Sequence, residues 1–360
     1  MATVKANSFG PVSLAPGRSS GVGPLTALAF EREPKDVETA LAVALELGSW
    51  GRHPGGGSTR DLWEALATIG SIDLGAARTV EPHLDALAIL SQAGGATTVG
   101  HLYSTTQSWG VFAAEGAGLR VTAVRDGSRW RLDGVKPWCS LAGVLDAALV
   151  TAFVGPDERQ LFAVELGQPG ITVEPGAWHA RGLTEIPSGP VHFDGVSAVA
   201  VGDAGWYLER PGFHWGGMGV AACWFGGMVG LARTLFTSAV TMASSGRKPD
   251  DLFRWQLGAV DIRIESARRA LSEAAASVDS GEATGKAGRL LAKRVRATVA
   301  GDAERVIELV GHALGPAPLA LDEEHAKRVA DLQLYLRQDH AERDVASLGS
   351  ALLEGTVTPW

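Results

Sequence analysis

The apolar residues of this 360-residue chain change their spacing twice, from a helical repeat to an alternating one and back. Steps of three and four place side chains along one stripe of a helix, whereas steps of two place them on one face of a strand. From about Asp36 to Gly94 the repeat is helical. Val37, Ala40, Leu41 and Leu45 make one stripe, Leu62, Leu66 and Ile69 a second, and Leu84, Leu87 and Ala88 a third. Gly48, Gly55-Gly56-Gly57 and Gly70 punctuate them, and Ser58 or Thr59 stands where a helix N-cap is expected.

From about Val111 to Val201 the period falls towards two. Short runs such as LRVTAV, RWRLDG, AALVTAFV and PVHFDGV are separated by Asp-Gly, Gly-Pro and Pro-Gly turns, and Asp126-Gly127 predicts a hairpin. These features predict a small antiparallel sheet domain. From Trp215 onward the helical period returns in four segments: Gly217 to Ser244, Leu252 to Val278, Ala287 to Leu314, and Glu324 to about Leu353. In the second, Val260, Ile264, Ala267, Leu271, Ala274 and Val278 define a buried face. Gly315-Pro316 and Pro318 separate the third from the fourth. The expected architecture is α+β, with a helical domain over 1–109, an antiparallel β domain over 110–212 and a helical bundle over 213–360.

Composition narrows the function. Lys and Arg number 32 against 40 Asp and Glu, a net charge of −8. An acidic chain without a basic stripe speaks against nucleic acid and against anionic membrane surfaces. No apolar run approaches the ~20 residues of a membrane span, and MATVKANSFG lacks the features of a signal peptide, so the expected location is cytoplasmic. Cys139 and Cys223 sit among apolar residues and read as reduced, buried thiols. The chain carries no Walker loop, GxSxG, HExxH or CxxC pair, and its nine histidines form no metal-ligand spacing.

Three strings, taken in order, resemble the acyl-CoA dehydrogenase superfamily: Gly110 to Ala152, which includes Gly134-Val135-Lys136 and Trp138-Cys139-Ser140; PVHFDGV at 190–196; and GGMGVAACWFGGMVGLARTLF after Trp215. The resemblance implies a helical domain, a β domain and a four-helix bundle with a flavin between the last two. It implies FAD, with FMN as the alternative, and a homodimer or homotetramer. It places Trp138 against the isoalloxazine ring, Ser140 at its N5/O4 edge, and the main chain of Ala114 and Glu115 at its pyrimidine end. Arg247 and Lys248, in the loop SSGRKPDD, stand where the family binds the adenosine diphosphate half of FAD. Phe253 lies near the family's usual Gln, and Glu115-Gly116-Ala117-Gly118 runs straight into the next strand without the substrate-contacting segment found there. The GGMVGLA stretch at 226–232 suits close helix packing between subunits, or within one.

The family removes a proton beside a thioester with a carboxylate eight residues after an aspartate, while hydride passes to flavin N5. With Asp331 as that aspartate, the base falls on Asp339. On a continuous helix Asp339 would share a face with Leu332, Tyr335 and Leu336, a desolvated setting of the kind that tunes a general base. The competing reading pairs Asp339 with Arg343 one turn on. Glu354, in Leu353-Glu354-Gly355-Thr356, repeats the family's base motif close to the terminus. The resemblance thus implies a flavin-dependent oxidoreductase acting on a CH–CH group of a small-molecule substrate. That substrate is an acyl-CoA or another acidic C–H compound, and the electron acceptor is open. The alternatives are a flavin monooxygenase with His340 or His214 as proton donor, or a scaffold without redox chemistry. Arg181 stays unassigned.

Overall fold

The computed structural model describes residues 9–15, 21–95, 100, 104, 106–127 and 129–355. Four helices come first: α1 Pro24–Arg32, α2 Val37–Ser49, α3 Thr59–Ile72 and α4 Leu74–Gln92. Asp36 starts α2 by accepting from the Thr39 amide at 2.8 Å, and Asp73 starts α4 by accepting from the Ala76 amide at 2.8 Å. Ser58 occupies the N-cap position of α3 as expected, but its side chain makes no cap bond. The cap comes from far along the chain, where the Asp279 carboxylate accepts from the amides of Gly57 and Thr59 at 3.0 and 3.1 Å. Side chains that accept from the first-turn amides satisfy donors no helix can satisfy itself.

Seven strands follow: β1 Trp109–Phe112, β2 Val121–Asp126, β3 Arg129–Lys136, β4 Ala147–Phe153, β5 Arg159–Glu165, β6 Ile171–Val173 and β7 Val191–Val201. The hairpin at Asp126-Gly127 forms as the sequence predicts, with Gly127 in the left-handed region at φ +61°. The order β4-β2-β3-β7-β5 closes on itself through the β4–β5 pairing, making a barrel, with β6 added on β7. The sheet is not wholly antiparallel. β1 runs parallel to β4, Trp109 opposite Ala147, and β2 touches the same edge where Thr122 meets Phe153. The 34 residues between β1 and β4, counted from 113 to 146, carry the β2–β3 hairpin and give the long return that parallel pairing requires.

The rest is helical: α5 Trp206–Glu209, α6 Phe213–Ser244, α7 Asp251–Asp279, α8 Gly285–Leu314, α9 Pro316–Leu321, α10 Glu323–Tyr335 and α11 Glu342–Leu353. The helix expected to run unbroken from 324 to 353 is two helices. A 3₁₀ turn at Leu336–Gln338 ends the first, Asp339 is extended (φ −90°, ψ 131°), and Ala341 has φ +48°. The break is made by acidic side chains: Asp339 Oδ1 accepts from the Ala341 amide at 2.8 Å, and Asp344 Oδ2 accepts from that of His340 at 3.0 Å. Such side-chain bonds give the backbone an alternative to the helical ladder.

α6 is long and apolar enough to span a membrane by length and composition, a possibility the sequence reading passed over. Its best window is 72% buried inside the protein, which makes it a core helix packed on α3, α4, α7, α8 and α10. The GGMVGLA stretch is spent on that internal packing. A Cβ on Gly226 would lie 2.2 Å from the Ala67 carbonyl oxygen of α3, and one on Gly227 3.0 Å from Leu74. Gly226→Ala must push two helix backbones apart, and overpacking of this kind costs about 1–3 kcal/mol. Chemical denaturation of the variant should show the lower midpoint; an unchanged midpoint would mean that α3 and α6 move apart freely.

Candidate active site

The turn after β3 is built around an unusual lysine. Lys136 is 1% exposed, and its Nζ donates to Glu115 Oε1 at 2.9 Å and to Thr151 Oγ1 at 2.8 Å. Burial pulls its pKa down, and Glu115 opposes that by favouring the ammonium. Arg159 adds a second cation 3.3 Å from the same Glu115 oxygen. Glu115 is thereby clamped to the barrel, which fixes the stretch 113–115 after β1. Among the described residues, the amides of Ala114 and Glu115 donate to no protein group.

Beyond Lys136 the backbone enters the left-handed region twice, at Trp138 (φ +60°) and Leu141 (φ +58°). The reversal is held from the β6–β7 connection, where the Cys139 amide donates to the Gly189 carbonyl and the Leu141 amide to that of Pro187. As a result Trp138 is 58% exposed, presenting its ring outward, while Cys139 and Ser140 are buried. Burial pushes the Cys139 thiol up to about 12, so it stays protonated and inert at neutral pH. An open aromatic face, two free amides and a hydroxyl on adjoining segments are the groups a flavin ring needs.

Ser140 faces the helices. Its Oγ lies 2.7 Å from Ser188 Oγ and accepts from Arg78 Nη2 of α4 at 3.0 Å. Arg78 also stands over the Tyr335 ring, 5.8 Å from its centroid, and 3.8 Å from Glu81. Glu81 is buried, and burial is the main reason its carboxyl is pushed up to about 8; Arg78 and Arg296 oppose the shift and Asp85 adds to it. On the far side of Tyr335, whose ring meets Trp224 edge-on at 6.3 Å, Arg296 of α8 stacks 4.8 Å from the Trp224 centroid. Its guanidinium donates to the carbonyls of Gly217 and Gln338 at 2.8 and 2.9 Å. Burial lowers the Arg296 pKa and the nearby Asp339 charge acts against that.

Asp339 itself is 7% exposed. One carboxylate oxygen is held by the Ala341 amide, and Oδ2 is buried with no hydrogen-bond partner among the described residues. No ion pair joins it to Arg343 among those residues. The structure therefore brings Ser140 and Asp339 to one polar seam between barrel and bundle, linked through Arg78, Tyr335, Trp224 and Arg296, with Trp138, Ala114 and Glu115 on the barrel side. Arg247 is not part of it: it lies on the exposed loop after α6, as does Lys248. Glu354 is exposed at the end of α11, and Thr356 lies outside the described residues. His214 is half-buried, lowered in pKa by burial and then by Arg289, Lys293 and Arg210. His340 is exposed, with Asp344 beside it. Phe253 is buried in α7 and Arg181 is exposed.

Arg78, Glu81, Ser188 and Arg296 escaped the sequence reading. Arg78 and Glu81 sit one turn apart, the spacing of an ordinary solvated ion pair. The available signal was a Glu directly before a Pro inside α4, a helix otherwise rich in apolar and small residues.

Residues 203–335 match the family model described as acyl-CoA dehydrogenase, C-terminal domain. The fold is similar throughout to that of KijD3 in complex with FMN and dTDP-3-amino-2,3,6-trideoxy-4-keto-3-methyl-D-glucose (TM-score 0.77, 16% identity, 94% of this chain and 96% of that one). It is similar to butyryl-CoA dehydrogenase from Megasphaera elsdenii (TM-score 0.71, 17% identity, 92% and 94%). It is also similar to the dibenzothiophene monooxygenase TdsC from Paenibacillus sp. A11-2 (TM-score 0.69, 18% identity, 94% and 99%). No curated protein matches the chain in sequence.

Because the folded carboxyl of Glu81 titrates near 8 rather than near its ordinary 4.5, the native state holds a proton there that the unfolded chain gives up. That contribution to stability is complete below about pH 4.5 and is lost as pH rises through about 8. Glu81→Gln should match the parent near pH 5 and exceed it by about 2–4 kcal/mol near pH 9. Denaturation curves at the two pH values test this; a difference that does not vary with pH would place Glu81 in contact with water.

Proposed function

We propose, for a chain that carries the acyl-CoA dehydrogenase fold and its C-terminal domain, a flavin-dependent oxidoreductase in which Asp339 is the general base. The observation that carries this reading is the Asp339 carboxylate: buried, anchored through one oxygen, and open to a new partner through the other. Fixing Oδ1 to the Ala341 amide orients Oδ2, so a substrate C–H admitted to the seam would meet a carboxylate already held in one direction. Arg296, tied to the carbonyls of Gly217 and Gln338, brings a positive charge beside the site.

A bound flavin, FAD or FMN, supplies the two-electron acceptor. The exposed Trp138 ring and the free amides of Ala114 and Glu115 fit its ring system, and Ser140 offers a hydroxyl at its edge. Arg247 and Lys248 are the cations at hand in 245–250 for the pyrophosphate of FAD. Arg78 and Arg296, with their buried hydrogen-bond partners, make the seam more polar than a fatty acyl chain requires. The substrate is accordingly read as a small polar molecule with an acidic C–H rather than a fatty acyl-CoA.

The test begins with the absorption spectrum of the purified chain, before and after FAD or FMN is added. Flavin uptake is expected in both the parent and Asp339→Asn. With small carbon acids as probes, a thioester such as butyryl-CoA and a nitroalkane, bleaching of the flavin by any competent probe should slow about 10²–10⁴-fold in the variant. Bleaching that survives Asp339→Asn would overturn Asp339 as the base. Oxygen-dependent product formation unaffected by the substitution would turn the reading towards a monooxygenase.

A further inference from the structure

The sequence reading found no basic stripe in this acidic chain, but α8 carries one. Lys286, Arg289, Lys293, Arg294 and Arg296 fall within residues 283–301, a stretch that holds no Asp or Glu. Lys286, Arg289, Lys293 and Arg296 recur at steps of three and four, so they share one face of the helix over about 15 Å. Exposure falls along that face: Lys286 and Arg289 are exposed, Lys293 and Arg296 half-buried. Among the described residues, Lys286, Arg289 and Lys293 form no ion pair.

The stripe ends at the site. Arg296 donates to the carbonyls of Gly217 and of Gln338, the residue before Asp339. One turn back, Lys293 Nζ donates to Ser347 Oγ of α11 at 2.8 Å, and the ammonium has two further N–H donors to give. The Ser347 hydroxyl accepts that bond and keeps its own proton to donate. His214 lies one turn before Gly217 on α6, and the charges of Arg289, Lys293 and Arg210 add to burial in favouring its neutral ring. Asp344 of α11 accepts from the His340 amide, and Asp85 of α4 stands 3.8 Å from Arg210; neither pairs with Arg289 or Lys293 among the described residues.

We propose that Arg289 and Lys293, with His214 and Ser347 beside them, bind the phosphate group of a phosphorylated small-molecule substrate and lead it towards Asp339. Two cations one turn apart match an anion with two charges and diverging oxygens, whereas a single carboxylate engages one of them. Arg289 supplies a planar fork and Lys293 a point charge. Arg289 is exposed, so the phosphate sits at the surface and needs no enclosed cavity. The net charge of −8 repels such an anion at long range, and the acid-free stripe opens one approach of opposite sign. The assignment deepens the oxidoreductase reading and rests on it only in naming the phosphate part of the substrate.

The experiment titrates the purified full-length protein, with whatever flavin it carries, against inorganic phosphate and pyrophosphate by calorimetry. Saturable binding of both is expected, tighter for pyrophosphate, and weaker when salt rises from about 20 to about 200 mM. Arg289→Gln and Lys293→Gln should each weaken it at least about tenfold. Arg294→Gln, on the same helix but off this face, should leave it unchanged, as should Arg247→Gln with Lys248→Gln. No saturable binding, or binding that survives both stripe substitutions, overturns the assignment. FAD uptake lost in Arg289→Gln while FMN uptake persists also overturns it, because the cations would then serve the flavin. Flavin uptake without phosphate binding would sink the phosphate site and leave the oxidoreductase standing; phosphate binding by a chain that takes no flavin would do the reverse.

Discussion

One ammonium group ties the helical and β parts of this protein together. Lys327 Nζ of α10 lies 2.9 Å from Asp73, 2.7 Å from Glu185 and 2.6 Å from Asp331. Asp73 caps α4, Glu185 belongs to the β6–β7 connection and Asp331 sits one turn along α10, so three separate segments converge on one charge. Burial works against the ammonium, but the three carboxylates outweigh it and hold its pKa above the ordinary lysine value. The three acids gather as metal ligands do, and Lys327 takes the central place. Removal of the lysine would leave three negative charges face to face at a half-buried junction, a far larger disturbance than loss of a surface ion pair.

The seam between barrel and bundle depends on this knot. Asp331 also accepts from the Leu183 amide, and Gly182 comes so close to the Ala330 carbonyl that a side chain there would lie 2.1 Å from it. Loop 182–190 is therefore pressed onto α10, and the same loop supplies the Pro187 and Gly189 carbonyls that hold the Trp138–Leu141 turn. A continuous series of contacts thus runs from Lys327 through one loop to the turn whose Ser140 meets Arg78. Asp339 hangs from the other end of α10, eight residues past Asp331, so both sides of the site are referenced to a single helix.

Much of this was legible in the residue pattern. The change of period marks out helices, barrel and bundle, and Asp126-Gly127 makes its hairpin. Counting from Asp331 placed a carboxylate that the structure then buries. What stayed hidden has physical reasons. The apolar repeat continues through Leu332, Tyr335 and Leu336, so nothing in hydrophobicity announces the break that Asp339 and Asp344 make with their own side chains. A charge pair such as Arg78 and Glu81 has the same spacing whether it faces water or a core, and only tertiary contacts decide which. Strand direction is likewise unreadable from alternation, which is why β1 could not be recognised as parallel. The glycines of α6 fit packing inside a subunit as well as between subunits, and only their distances to α3 separate the two.

The cap on α3 has a consequence in time. The first turn of that helix is closed by a carboxylate 220 residues downstream, and its apolar faces await α6 from beyond the barrel. A ribosome adding about 5–20 residues each second needs roughly 10–45 s to travel from Thr59 to Asp279. For that interval the amino-terminal helices have one another, but the first turn of α3 lacks its cap. The barrel, whose strands lie within one continuous stretch, can close while they wait. The amino-terminal layer of this protein is therefore completed by one of the later stretches of the chain to be made.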